Sequence, residues 1–210
     1  MKFVVFVFSI FIALFAEAHT LRKTLEKYSK ATSLKFDIKK VDEKVALGTK
    51  SESHGILKYQ KNKMYILQNG DKKVEIFYLN KALTLVEYPD ADFDETEKRK
   101  VTVIKNASSP LITSLLNLFS NPKEFNKQFS TISENVHNDV FTAELKPKLN
   151  NIKNLSLKIN KKTLELIELS FIDDVDTKTT LHFENSKHNA KMLRSEFQYK
   201  QLKTDEVMIQ

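Results

Sequence analysis

The feature that most constrains this chain is a change of hydrophobic period close to residue 34. Upstream, between Thr20 and Ala31, Leu21, Leu25 and Tyr28 fall at i, i+4 and i+7 with charges between them, the single apolar stripe of a helix. Downstream, Leu34, Phe36 and Ile38 alternate with Lys35, Asp37 and Lys39, the pattern of a half-buried strand. The same period returns at His54–Gln60, Lys63–Gln68, Val74–Tyr78, Leu83–Tyr88 and Arg99–Ile104, with polar breaks such as Leu79-Asn80-Lys81 between them. This spacing predicts an antiparallel meander.

One segment breaks the meander. Ser108-Ser109-Pro110 combines hydroxyl caps with a proline suited to the first helical turn. Leu111, Ile112, Leu115, Leu116, Leu118 and Phe119 follow, so the predicted helix is apolar over most of its surface. Asn121-Pro122 ends it and caps a second short turn through Phe125. Strands then resume at Phe129–Ser133, Val140–Leu145, Leu155–Asn160, Ile167–Ile172, Thr179–Glu184, Glu196–Lys200 and Val207–Ile209. About a dozen strands in one sheet curl and close, or nearly close, into a barrel. No linker or repeat marks a second domain, and residues 19–210 are expected to fold as one.

The N-terminus reads as an export signal. Lys2 precedes an apolar run from Phe3 to Ala16, and Ala16-Glu17-Ala18 supplies the small-x-small pattern of a cleavage site. A helix over that run spans only about 21 Å, short of the ~30 Å of bilayer hydrocarbon. Residues 1–18 are therefore expected to be a cleaved signal peptide and the remainder a periplasmic protein. The chain contains no cysteine, which excludes a lipidated N-terminal Cys and disulfide staples. Its formal charge of +7 comes almost wholly from lysine, with Arg22, Arg99 and Arg194 the only arginines. Export and the absence of a nucleic-acid motif argue against nucleic acid as a partner.

Familiar catalytic patterns are missing. Three glycines (Gly48, Gly55, Gly70) cannot build a phosphate-cradling loop, and no GxSxG or HExxH occurs. His182 and His188 are expected on either side of a hairpin turn and lack partner ligands, so no metal site is expected. Asp90, Asp92 and Asp94 open like a calcium loop, but Glu95 and Val101 stand where that loop needs Gly and Glu. Asp173-Asp174-Val175-Asp176 is expected to be a hairpin turn. Neither a cofactor nor catalysis is expected. A curved sheet with an apolar helix inserted in it leaves two options. The helix is a permanent part of the core, or it is the lid of an apolar cavity.

The order of these elements resembles the LolA family, the periplasmic carriers of outer-membrane lipoproteins. The likeness starts in LRKTLEKYSKATSLKFDIKKV and continues in Gly55-Ile56-Leu57 through Tyr65, in the hairpin from Leu79 to Pro89 and in the proline-led helix from Ser108 to Leu116. It ends in Phe141-Thr142-Ala143-Glu144-Leu145-Lys146-Pro147-Lys148 and in Phe197 through Ile209. Lys61 stands where the family has the arginine that fixes the lid, Asn62 where it has proline, and Leu85 where it has tryptophan.

The resemblance implies an α+β fold, mostly β: an unclosed antiparallel β-barrel of about 11 strands covered by a helical lid. It implies a monomer that takes triacylated lipoproteins from an inner-membrane release ABC transporter and passes them to an outer-membrane receptor. On that reading Lys61 is the lid latch, weaker than arginine because one ammonium cannot make a bidentate contact. Pro110, Leu111, Ile112, Leu115, Leu116 and Phe119 form the lid helix. Phe36, Ile38, Leu57, Tyr59, Tyr65, Leu85 and Phe183 line the acyl-chain cavity. A LolA-like carrier of another lipid, or an envelope sensor of the same shape, would share these features.

Overall fold

The computed structural model describes residues 19–89, 98–106, 109–148 and 152–210. The expected signal peptide (residues 1–18), the acidic stretch at residues 90–97 and the cap residue Ser108 lie outside them. Helix α1 (residues 19–30) buries Leu21, Leu25 and Tyr28, the stripe read from the sequence. Strands β1 (Leu34–Lys44), β2 (Thr49–Gln60), β3 (Lys63–Asn69), β4 (Lys73–Leu79), β5 (Ala82–Glu87) and β6 (Lys100–Ile104) follow. Helices α2 (Pro110–Ser120) and α3 (Pro122–Gln128) then lead into β7 (Phe129–His137), β8 (Val140–Pro147), β9 (Ile152–Asn160), β10 (Leu166–Asp173), β11 (Thr177–His188) and β12 (Glu206–Ile209).

All the strands join one sheet in the order β12-β6-β5-β4-β3-β2-β1-β11-β10-β9-β8-β7. The pairing of β1 with β11 unites two meanders, and β7 and β12 are left as separate edges, so the barrel is unclosed. The described residues form twelve strands, close to the expected eleven, and the sheet is mixed because β12 lies parallel to β6. The segment α2–α3 runs from β6, beside one edge, to β7 at the other. It therefore crosses the gap in the barrel.

Register places the core. Phe36 faces Leu57, Leu57 faces Ile66, Ile66 faces Ile76 and Ile76 faces Leu85, an apolar row across five strands. Leu181, Leu169, Leu157 and Ala143 continue it through the other meander. At Gly55, on this same face, a Cβ would lie 1.7 Å from the Leu67 carbonyl oxygen. Only glycine fits there, because the neighbouring backbone comes that close.

The opposite face carries a smaller cluster of Phe77, Val86 and Val101 with Tyr65, Tyr88 and Tyr199 packed on it. The C-terminal segment covers this cluster. Arg99 donates from Nε and Nη2 to the two carboxylate oxygens of buried Asp205, each at 2.7 Å. The Tyr199 hydroxyl also donates to Asp205, and the Arg99 pairing holds that carboxyl far below the usual range.

Three expectations need correction. Glu196–Lys200 is not a strand: Arg194–Phe197 forms a 3-10 turn, with Glu196 accepting from the Leu193 N–H and from Lys58. His182 and His188 sit on the single strand β11 rather than across a hairpin. The β1–β2 hairpin runs to Lys44 and from Thr49, through a polar stretch that showed no alternation.

Candidate functional site

Helix α2 starts where its proline predicts, with Pro110 in the first turn and Ser109 in extended conformation before it. Two of its polar side chains bond nearby groups. Ser120 donates to the Leu116 carbonyl at 2.6 Å, and Asn117 Nδ2 donates to Gln128 Oε1 of α3 at 2.9 Å. Asn121 accepts from the Glu124 N–H and so starts α3. Ile112, Leu115, Leu118 and Phe119 are thereby turned onto the inner face of the sheet, all buried. Leu111 and Leu116 pack at its margin, half-buried.

Phe119 occupies the centre of the space beneath the helix. Its ring centroid lies 5.5 Å from Tyr28, 5.6 Å from Phe36 and 5.4 Å from Tyr59, and Phe183 meets Phe36 edge-on at 5.3 Å. Rings at this spacing attract beyond their burial alone. Of the expected cavity residues, Phe36, Ile38, Leu57, Tyr59 and Phe183 are buried together in this cluster. Leu85 shares the inner face through its pairing with Ile76 and is half-buried.

Tyr65 does not belong with them. The two-residue turn at Lys61-Asn62 pairs Tyr59 with Met64 and Lys58 with Tyr65. Met64 and Ile66 therefore face inward, and Tyr65 packs outside against Phe77 at 5.1 Å. Burial, with the negative charge of Glu75 nearby, pushes its phenol up to about 12.

Lys61 stands at the mouth. It borders a groove of about 500 Å³ between α2 and the β2–β3 and β4–β5 turns, with Lys63, Lys81, Tyr78, Leu116 and Asn117 among its lining. Among the described residues the Lys61 side chain makes no hydrogen bond or ion pair, so no described bond from it holds the helix. Apolar contact does, together with Tyr59. Burial raises the Tyr59 phenol, and Ser120 of α2 and the Asn62 N–H oppose that rise.

A second anchor was not foreseen from the sequence. The Tyr28 hydroxyl accepts from the Leu166 N–H at 2.7 Å and donates to Glu165 at 3.1 Å. Lys27 and His188 also bond Glu165, and the His188 ring stacks on Tyr28 at 5.4 Å. Burial alone would raise the Glu165 carboxyl, but Lys27 and His188 outweigh it and hold it at about 2. The nearest signal was Tyr28 on the helix stripe; its partners lie more than a hundred residues away.

The sequence profile of the outer membrane lipoprotein carrier protein LolA matches residues 92–200, just over half of the chain. The chain belongs to the LolA family. No curated protein matches it by sequence. Among solved structures, an uncharacterized conserved protein from Thermus thermophilus shares the fold, with a TM-score of 0.53 at 8% identity over 92% of this chain and 99% of that one. A DUF1329 family protein from Desulfovibrio piger gives a TM-score of 0.44 at 11% identity, over 87% and 97% of the two chains. A LolA superfamily protein from Nitrosomonas europaea gives 0.39 at 7%, over 87% and 97%. LolA-family proteins are carriers and binding proteins of hydrophobic ligands rather than enzymes, and the apolar interior beneath α2 is the part of this member suited to that work.

Proposed function

We propose that this LolA-family protein is exported to the periplasm after loss of residues 1–18. There residues 19–210 act as one domain, a monomeric carrier of lipoproteins from the inner to the outer membrane. Triacylated lipoproteins are its cargo, an inner-membrane release transporter of the ABC type its donor and an outer-membrane receptor its acceptor. One observation carries the reading: an apolar helix, seated across the gap of an unclosed barrel, fills the interior with its own Phe119. Such a helix can be exchanged for acyl chains.

The magnitudes allow the exchange. Lifting α2 exposes four buried side chains at about 1.5–3 kcal/mol each, on the order of 6–12 kcal/mol. One acyl chain of about fifteen methylenes, at about 0.8 kcal/mol each, recovers on the order of 12 kcal/mol when it enters. Three chains exceed the cost of opening, and without cargo the closed state wins. Phe36, Ile38, Leu57, Tyr59, Leu85 and Phe183 then line the acyl-chain cavity. Pro110 through Phe119 form the lid, a two-state element that cargo biases.

Purification from the periplasm followed by mass spectrometry of co-purified molecules tests this. Triacylated lipoproteins are the expected cargo. Recovery of only a small free lipid would reject the lipoprotein assignment.

A further inference from the structure

The groove beside α2 has a chemistry that apolar shielding does not require. Lys61, Lys63 and Lys81 converge on it, and no carboxylate or arginine is among its lining residues. Among the described residues these three lysines form no ion pair. Tyr78 and Leu116 form its apolar floor and pack against the main core, so the groove continues the interior outward.

Two of the lysines are held at conformational cost. The β2–β3 turn has Lys61 at φ 39° and Asn62 at φ 63°, and the β4–β5 turn has Asn80 at φ 53° and Lys81 at φ 65°. Both are two-residue hairpin turns of the kind that favours glycine, asparagine or aspartate. The other non-glycine residues with positive φ are Asn or Asp, Leu164 excepted. A lysine in the left-handed region is strained relative to glycine, and strain of this kind gathers at functional positions.

Resting on the carrier reading above, we infer that this groove takes the polypeptide that follows the acylated end of the cargo, and that it selects acidic sequence there. Acyl chains beneath α2 bring the peptide out at this mouth. Dispersed lysines with Asn62 and Asn80 between them match an extended acidic peptide, whose amides these two asparagine side chains can bond. A lone phosphate headgroup would engage one or two of these ammonium groups as point charges and leave the rest of the groove unused.

The test uses two triacylated lipopeptides with identical lipid, one followed by four glutamates and one by four lysines. Their affinities for the signal-free chain are measured at low and at physiological salt, for the natural protein and for Lys61→Gly with Lys81→Gly. The expected result is a preference of tenfold or more for the acidic lipopeptide at low salt, weaker at physiological salt. In the double variant it falls below about threefold, while thermal stability is unchanged or higher because glycine relieves the turns. Lys63→Gln, outside the strained turns, should shrink the preference as well.

Equal affinity for the two lipopeptides, or an intact preference in the double variant, overturns the inference and leaves the carrier reading standing. Binding of neither lipopeptide overturns both. Displacement of the acidic lipopeptide by phosphatidylglycerol micelles at a lower concentration of lipid than of lipopeptide also overturns it, in favour of a headgroup site.

Discussion

Phe119 shows how one side chain can be core and plug at once. Its ring meets Tyr28 of α1, Phe36 of β1 and Tyr59 of β2, so it ties the inserted helix to three other elements. Phe119→Ala should cost about 3–5 kcal/mol in urea unfolding, the range for a large ring removed from a packed core. Leu111→Ala, at the half-buried margin, should cost less than half as much. Phe119 could be picked out in the sequence because it closes the apolar run after Pro110. Its ring partners were only partly legible: Phe36 and Tyr59 stand on alternating strands, whereas Tyr28 lies on a helix whose docking no local pattern gives. Tyr65 shows the corresponding failure. Its strand and the two-residue gap before it were plain from the sequence, but its ring was assigned to the inner face, which that gap gives to Met64 opposite Tyr59, and a slip of one inverts a strand.

Among the elements, α1 is docked differently from α2. The inserted helix is held by apolar contact, whereas α1 is also clamped by Lys27 and Tyr28 on Glu165, with His188 behind. A carboxyl held at about 2 in the folded protein, against an ordinary value of 4.5, contributes stability in full above about pH 4.5 and loses it as the pH falls towards 2. The thermal midpoint should therefore drop over that interval, and Glu165→Gln should lower it at pH 7 while flattening the acid-side decline. The Gln variant keeps the size of the side chain but not its charge, so a midpoint unchanged at pH 7 would show the clamp to be idle. Local elements were the most legible part of the chain. Period-two stretches gave strands, and Asn121-Pro122 gave the α2–α3 junction. Glu196–Lys200 misled because Phe197 and Tyr199 alternate like a strand while Glu196 is used to bond a turn. The Arg99–Asp205 pairing, which fastens the C-terminal segment, leaves no mark in local periodicity at all.

At the scale of the whole molecule, one sheet of two meanders is joined at β1–β11, left open between β7 and β12, and spanned across the gap by α2 and α3. Strand number and alternation made a curled sheet legible in advance. The parallel pairing of β12 with β6 was not, because it depends on the route of residues 189–205 over the outer face. The central claim is that acyl chains lodge beneath α2 by displacing it. The chain has no tryptophan, so Leu116→Trp places a single indole on the lid helix. Fluorescence of that variant is measured while it binds a triacylated lipopeptide with bromine on its acyl chains, and while it binds the unbrominated analogue. The account predicts strong quenching by the brominated lipopeptide alone, because the chains then touch the lid. Binding of the brominated lipopeptide with the indole unquenched would contradict it.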